Sequence, residues 1–192
     1  MKPLLLNEVE KLDPQSEMLI EQIKARARNL YETRQMLCAE AVLLAVNDGL
    51  GGGLTDTQAI AMAAPFCAAM GESGCICGAL SGAVMSSGLL LGNGNAYRHR
   101  KQMRVLARQL HDAFKAVNGA TCCRVLSKPV KHDKKAHFDH CAGLTAHAAE
   151  LAARFVLKKR PELASVAANG NSAKRQSRLK GAFLRLARYL SF

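Results

Sequence analysis

The 192-residue chain has no tryptophan, and aromatic side chains make up only 5 % of it. Long runs of β-branched residues are also missing, so no extensive β-sheet is expected. Alanine, leucine and glycine dominate, and apolar residues account for 49 % of the sequence. This composition predicts a folded, all-α protein, a compact helical bundle whose helices pack closely through small side chains.

Basic side chains are absent from residues 36–97, although the chain as a whole carries a net charge of +12. The excess is concentrated in two blocks: residues 98–135, with eleven basic and two acidic side chains, and residues 172–192, with six basic and none acidic. Such blocks favour an anionic partner, either nucleic acid or acidic lipid. Nucleic acid is not expected, because no recognised nucleic-acid motif is present and aromatic side chains for base stacking are few.

Several signatures of other protein classes are missing. The N-terminus lacks the apolar core and cleavage site of a secretory signal, so we expect a cytoplasmic protein. In a reducing compartment, its seven cysteines are more often ligands or redox groups than structural disulfides. No CxxC pair and no CxxCH haem-attachment motif occurs. The sequence has no paired carboxylates at a suggestive spacing, no Ser/His/Asp order and no nucleotide-binding loop. It therefore points to no particular enzymatic reaction.

The segment Gly71–Gly92 combines many small residues with a single charge, that of Glu72. Glycine or serine recurs every fourth residue, at Gly74, Gly78, Gly82 and Ser86. On a helix this spacing places a strip of small residues along one face, and such a strip lets the backbone of a neighbouring helix come close. Its length would allow a membrane span, but its serines and glycines make it weakly apolar. The pattern therefore favours a buried central helix whose N-terminal end presents a thiolate, or else an inert buried cysteine.

Helical spacing of apolar residues and capping signals predict further helices and a division of the chain. A helix starts at Asp13-Pro14, another contains Cys38, and a capping box starts a third at Thr55. Two longer helices are predicted over residues 96–118 and 136–159. We expect a helical cysteine-cluster domain over residues 1–160, a linker over 161–171 and a basic amphipathic helix over 172–192.

Four cysteines occupy four separate segments of the predicted fold: Cys38, Cys77, Cys123 and Cys141. Thiolates that are dispersed in sequence can converge when helices pack, and a bound metal would then contribute to folding. Four thiolates suit Zn²⁺ or an iron–sulfur cluster, and the spacing alone leaves both open. One of His132, His137 and His140 could replace a thiolate, although a solvated or helix-capping role is favoured for them.

The motifs around these cysteines resemble those of the C_GCAxxG_C_C family of redox-active proteins. The resemblance covers roughly residues 30–157 and lies in Cys38-Ala-Glu-Ala-Val, Cys77-Gly78-Ala79-Leu80-Ser81-Gly82, Cys123-Arg124 and Cys141. The family is similar to the cluster-bearing part of split-Soret cytochromes c, which are helical and dimeric and hold a [2Fe–2S] centre. The resemblance implies that the four cysteines are ligands of an iron–sulfur cluster, [2Fe–2S] by that comparison, in a homodimer. Haem is not implied, because the CxxCH motif is missing.

Three further cysteines depart from this pattern. Cys67 stands where glycine is expected, and Cys75 and Cys122 are additional thiols that could replace Cys77 or Cys123 as ligands. The function predicted is electron transfer or redox sensing with a redox partner protein. Alternatives are a thiol–disulfide switch at Cys75/Cys77 or Cys122/Cys123, a zinc-stabilised scaffold, and a structural module that binds membranes.

The C-terminal segment Ser172–Phe192 places leucines and Phe183 on one helical face and lysines and arginines around the other. This pattern is typical of a helix that lies in the interface of an anionic membrane, where each basic residue contributes about 1 kcal/mol. A peripheral position on the inner membrane surface is one expectation. Docking of this helix on its own domain or on a second subunit is the other.

Overall fold

The structure is a computed structural model, and it describes residues 12–92 and 96–168. Across these ranges the chain folds into helices without a β-strand, so the all-α prediction is confirmed. The right-handed α-helices of these ranges are α1 (Pro14–Glu32), α2 (Cys38–Leu50), α3 (Asp56–Ala63), α4 (Gly78–Leu91), α5 (Ala96–Asn118), α6 (Cys123–Ser127), α7 (Lys134–Lys159) and α8 (Leu163–Ala168). Short 3-10 turns cover Ala64–Phe66 and Lys128–Val130.

Local capping interactions explain where these helices begin. At α1 the Asp13 carboxylate accepts a hydrogen bond of 3.0 Å from the Ser16 N–H, with proline in the next position. At α3 Thr55 and Gln58 form the expected capping box: each side chain accepts a hydrogen bond from the other residue's N–H. These contacts satisfy backbone N–H groups that have no partner within the helix. Both predicted helix starts are confirmed.

Helices α1, α2, α4 and α7 pack against one another and enclose most of the core. Helix α4 is apolar and buried on nearly all sides, which confirms the prediction of a buried central helix. Helix α5 packs against α4 and α7 and buries Leu106, Leu110 and Phe114. Its exposed basic residues are Arg100, Lys101, Arg104, Arg108 and Lys115. In the described part of the chain, no helix is both long and apolar enough to span a bilayer.

The small residues of α4 lie where the neighbouring backbone comes closest. A Cβ built on Gly82 would stand 2.7 Å from the Ala39 carbonyl oxygen and 2.9 Å from the Val42 Cβ, both on α2. The predicted close contact at Gly82 is therefore confirmed. Gly74 differs from the prediction, because it precedes α4 and has a φ of +74°. The strip of small residues thus begins at Gly78.

An ion-pair network fixes α1 against α7. Arg154 donates hydrogen bonds of 2.6 and 2.9 Å to the two carboxylate oxygens of Glu17, and Glu150 also bonds to Lys24 at 3.0 Å. A bidentate arginine–carboxylate pair restrains orientation as well as distance. The network holds the register of the two helices that carry Tyr31 and Cys141.

The start of the segment predicted as a linker is helical. Residues Leu163–Ala168 form α8, and Leu163 and Ala164 are buried against the core. The division into a domain, a linker and a separate helix stays a prediction. The amphipathic helix predicted for residues 172–192 lies outside the described residues.

Candidate functional site

A short antiparallel pairing of two loop segments sets Cys77 beside Cys123. The Cys77 N–H donates to the Thr121 carbonyl at 2.8 Å, and the Cys123 N–H donates to the Cys75 carbonyl at 2.7 Å. Between them, Ile76 pairs with Cys122 in a single β-bridge. Cys77 is the N-cap of α4, and Cys123 is the first residue of α6. In this ladder Cys75 lies opposite Cys123 and Cys77 opposite Thr121, so Cys77 and Cys123, 46 positions apart in sequence, face each other diagonally.

The missing side chain of Gly78 allows Cys38 to join this site. Cys38 is the first residue of α2, and its Sγ would lie 2.5 Å from a Cβ built on Gly78. The same Cβ would stand 2.7 Å from the Phe66 carbonyl oxygen. Both distances are shorter than real Cβ contacts permit, so only glycine fits between α2 and the chain before α4.

Cys141 lies in the second turn of α7, where it meets a tyrosine of α1. The Tyr31 hydroxyl donates a hydrogen bond to the Cys141 sulfur. The Tyr31 ring stacks on Phe138 at a centroid distance of 5.1 Å, and the Arg34 guanidinium lies 5.1 Å above the Phe138 ring. Burial and the nearby thiols raise the pKa of Tyr31 above its usual range, so this hydroxyl remains a donor.

The four cysteines predicted as ligands influence one another electrostatically. Burial raises the pKa of Cys77 to about 12, that of Cys141 to about 11, and that of Cys123 above its ordinary value. At all three residues, the negative charge of Cys38 raises the pKa further. Like charges act in this way only at short range, so each of these three thiols lies within range of the Cys38 charge.

Cys38 is the acidic thiol of this group, because it accepts hydrogen bonds that favour its charged form. The Cys67 S–H donates to the Ala63 carbonyl at 3.8 Å. The neighbouring Cys67 thiol, with the backbone N–H groups of Ala68 and Ala39, favours the Cys38 thiolate and lowers the pKa of Cys38 to about 7. The interaction with Cys38, together with burial, raises the pKa of Cys67. Cys38 is therefore the thiol most readily ionised near neutral pH.

Cys67 opens a turn of unusual handedness. The five residues after it, Ala68, Ala69, Met70, Gly71 and Glu72, all have φ between +50° and +66°. Left-handed backbone costs roughly 1–2 kcal/mol for each residue with a Cβ, and such strain is concentrated at functional sites. The turn aims the Ala68 N–H at Cys38. Our sequence reasoning missed this thiol contact, although Cys67 in place of an expected glycine was a signal for it.

The remaining thiols and histidines occupy different surroundings. Cys75 is exposed, and the Cys122 Sγ donates to the Gly74 carbonyl at 3.1 Å. His132 is exposed, whereas the His140 Nε2 is buried without a hydrogen-bond partner. All seven cysteines are free thiols. Within residues 12–92 and 96–168, no group of three or more histidine, cysteine, aspartate or glutamate side chains is arranged to hold a metal ion.

A comparison with protein families supplies an assignment for this cysteine arrangement. Residues 36–155 match the family model described as "Putative redox-active protein (C_GCAxxG_C_C)". The chain belongs to the C_GCAxxG_C_C family. The match covers well over half of the chain and contains all seven cysteines. The resemblance inferred from the cysteine motifs is therefore confirmed, whereas the similarity to split-Soret cytochromes c stays a prediction. No curated protein and no solved structure matches the chain.

Proposed function

We propose that the chain is an iron–sulfur protein that acts in electron transfer or redox sensing. Its ligands would be Cys38, Cys77, Cys123 and Cys141, and its cofactor a [2Fe–2S] cluster. The observation that carries the proposal is the backbone pairing of the Cys77 and Cys123 segments together with the close packing of Cys38 on Gly78. The charge interactions of Cys141 with Cys38 and Cys123 add the fourth segment. Membership of a redox-active family supports the same chemistry.

The surroundings of the thiols suit a cationic cofactor. Burial and neighbouring sulfurs disfavour the charged form of Cys77, Cys123 and Cys141 in the free protein. Iron binding would displace their protons and supply the positive charge that these thiolates lack. Cys38 and Cys77 also stand at the N-terminal ends of α2 and α4, where unpaired backbone N–H groups favour negative charge.

A binuclear cluster has a particular geometric requirement. In a [2Fe–2S] cluster each iron takes two protein ligands, so the sulfurs are needed in two pairs and no three of them need surround a single ion. The cluster, when bound, transfers single electrons. The Tyr31 hydroxyl would then donate to a ligand sulfur, an interaction through which proteins tune reduction potential.

Anaerobic reconstitution of the full-length chain with iron and sulfide tests the proposal. We expect an iron–sulfur absorption spectrum and two irons and two sulfides for each cluster. The chain offers matched controls within its own sequence: Cys77→Ser should abolish iron retention while Cys75→Ser retains it. Likewise Cys123→Ser should abolish retention while Cys122→Ser retains it.

The same measurements identify the competing functions. Retention of zinc but not of iron and sulfide would contradict the proposal and favour the zinc-stabilised scaffold. If the chain retains no metal but Cys75/Cys77 or Cys122/Cys123 cycle between thiol and disulfide, the alternative redox switch is correct. Loss of iron in a control variant rather than in its matched partner would reassign the ligand.

A further inference from the structure

Cys38 and Cys67 lie against the same residue, Gly78. The Cys67 thiol is also the neighbour that most favours the charged form of Cys38. A Cβ at Gly78 would stand 2.5 Å from the Cys38 Sγ and 3.5 Å from the Cys67 Cα. Cys67 is buried and Cys38 is half-buried, so one of the two is reachable from solvent and the other is enclosed.

We propose that Cys38 and Cys67 form a reversible disulfide that withdraws Cys38 from the other three cysteines. The bond itself requires only that the two residues lie close together at Gly78. Its consequence for cofactor binding rests on the proposed function, because only a cluster ligand would be lost when Cys38 is oxidised. The pair differs from both switch pairs considered from the sequence, Cys75/Cys77 and Cys122/Cys123.

The backbone around Cys67 allows the sulfurs to approach further. A disulfide needs the two sulfurs about 2.05 Å apart, closer than any hydrogen-bonded contact. Cys38 is anchored in the first turn of α2. Cys67, by contrast, follows the Ala64–Phe66 turn and precedes the left-handed turn, so it can shift without breaking a right-handed helix. Cys67 is therefore the partner that moves.

The other thiol pairs are held apart by their surroundings. The Cys122 Sγ donates to the Gly74 carbonyl, and Cys75 is exposed whereas Cys77 is buried. A bond between Cys75 and Cys77 would require one side chain to change environment. The bond between Cys38 and Cys67 joins two residues that already lie against the same glycine, Gly78.

Oxidised glutathione can oxidise Cys38 and Cys67 to the disulfide by two thiol–disulfide exchange steps. The Cys38 thiolate attacks one sulfur of glutathione disulfide, which forms a mixed disulfide and releases one glutathione thiolate. The Cys67 thiol loses its proton and attacks the Cys38 sulfur of that mixed disulfide, releasing the second glutathione. Two protein thiols are oxidised by two electrons, and one glutathione disulfide is reduced to two glutathione molecules.

Thiol mapping of the full-length, metal-free chain tests the inference. The chain is equilibrated with oxidised glutathione, its remaining thiols are alkylated, and the peptides are identified by mass spectrometry. We expect alkylatable thiols to fall from seven to five, with Cys38 and Cys67 joined. In Cys67→Ser this bond is lost, whereas Cys75→Ser serves as the matched control and keeps it. The wild-type map does not depend on the folding of either variant.

Two results would overturn the inference: Cys38 joined mainly to another cysteine, or Cys38 and Cys67 both still alkylated after full oxidation. The link to the cofactor is measured separately, by iron and sulfide uptake after oxidation. Oxidised wild-type chain should take up no cluster until a dithiol reductant is added, whereas reduced Cys67→Ser should take up as much cluster as reduced wild type, because Cys67 is not one of the proposed ligands. If the reduced wild-type chain takes up no cluster, the proposed function fails while the disulfide map still decides the bond.

Discussion

Replacing Gly82 with alanine tests the close contact between α2 and α4. In an ordinary helix this change stabilises by about 1 kcal/mol, since alanine is the better helix former. At Gly82 the new Cβ would stand 2.7 Å from the Ala39 carbonyl oxygen and 2.9 Å from the Val42 Cβ. One obstacle is backbone and the other is the stem of a buried valine, so neither can swing aside.

The opposing contributions determine the expected sign. Overpacking a tight core costs about 1–3 kcal/mol, and a clash with backbone belongs at the upper end of that range. After subtracting the gain in helix propensity, we expect Gly82→Ala to lower the free energy of unfolding by about 1–2 kcal/mol. Gly82→Leu adds three more carbon atoms at the same place and should destabilise at least as strongly.

Gly88 provides a matched control on the same helix. A Cβ built there meets no atom within 4 Å, so Gly88→Ala should raise the free energy of unfolding by about 1 kcal/mol. Urea unfolding followed by far-ultraviolet circular dichroism measures both variants against wild type in one buffer. If Gly82→Ala proved as stable as Gly88→Ala, the close approach of α2 and α4 would be wrong.

Three other changes test separate parts of the molecule. Ala68→Gly should stabilise the chain by up to about 1 kcal/mol in urea unfolding, because relief of left-handed strain exceeds the added entropy of the unfolded chain; destabilisation would contradict the strained turn. Tyr31→Phe removes a donor to the Cys141 sulfur, so the pKa of Cys141 should rise further above about 11, as thiolate absorbance against pH would record. Deleting residues 172–192 should leave the folded domain intact and abolish sedimentation with anionic vesicles; a changed oligomeric state with unchanged vesicle binding would instead indicate docking on a partner subunit.

Much of the helical architecture could be predicted from local patterns. Asp13-Pro14 and the pair Thr55 and Gln58 mark helix starts that the structure reproduces, because capping depends on side chains only a few residues apart. For α2 the sequence indicated a helix that contains Cys38, and the structure begins that helix at Cys38 itself. Residues 33–37 form an irregular turn in which Arg34 has a φ of +55°, and no local signal in the sequence marks that conformation.

The candidate site was less accessible to sequence reasoning. The motif at Cys77 indicated the family, and the spacing of Gly78 and Gly82 predicted a close approach of backbones. Neither feature identifies the helix that packs against α4, because a strip of small residues can accept any helix. Only packing shows that α2 fills the strip and carries the Cys38 sulfur against Gly78.

The sequence by itself determined the all-α class, the starts of several helices and the family, since these depend on composition, short-range periodicity and a local motif. The tertiary structure alone decided that Cys67 lies close to Cys38 at Gly78, that Tyr31 donates to Cys141, and that the pKa of Cys38 falls while those of its neighbours rise. The physical reason is that burial, hydrogen bonding and charge interaction depend on distance in space. The packing of α1, α2, α4 and α7 sets those distances, and separation along the chain does not.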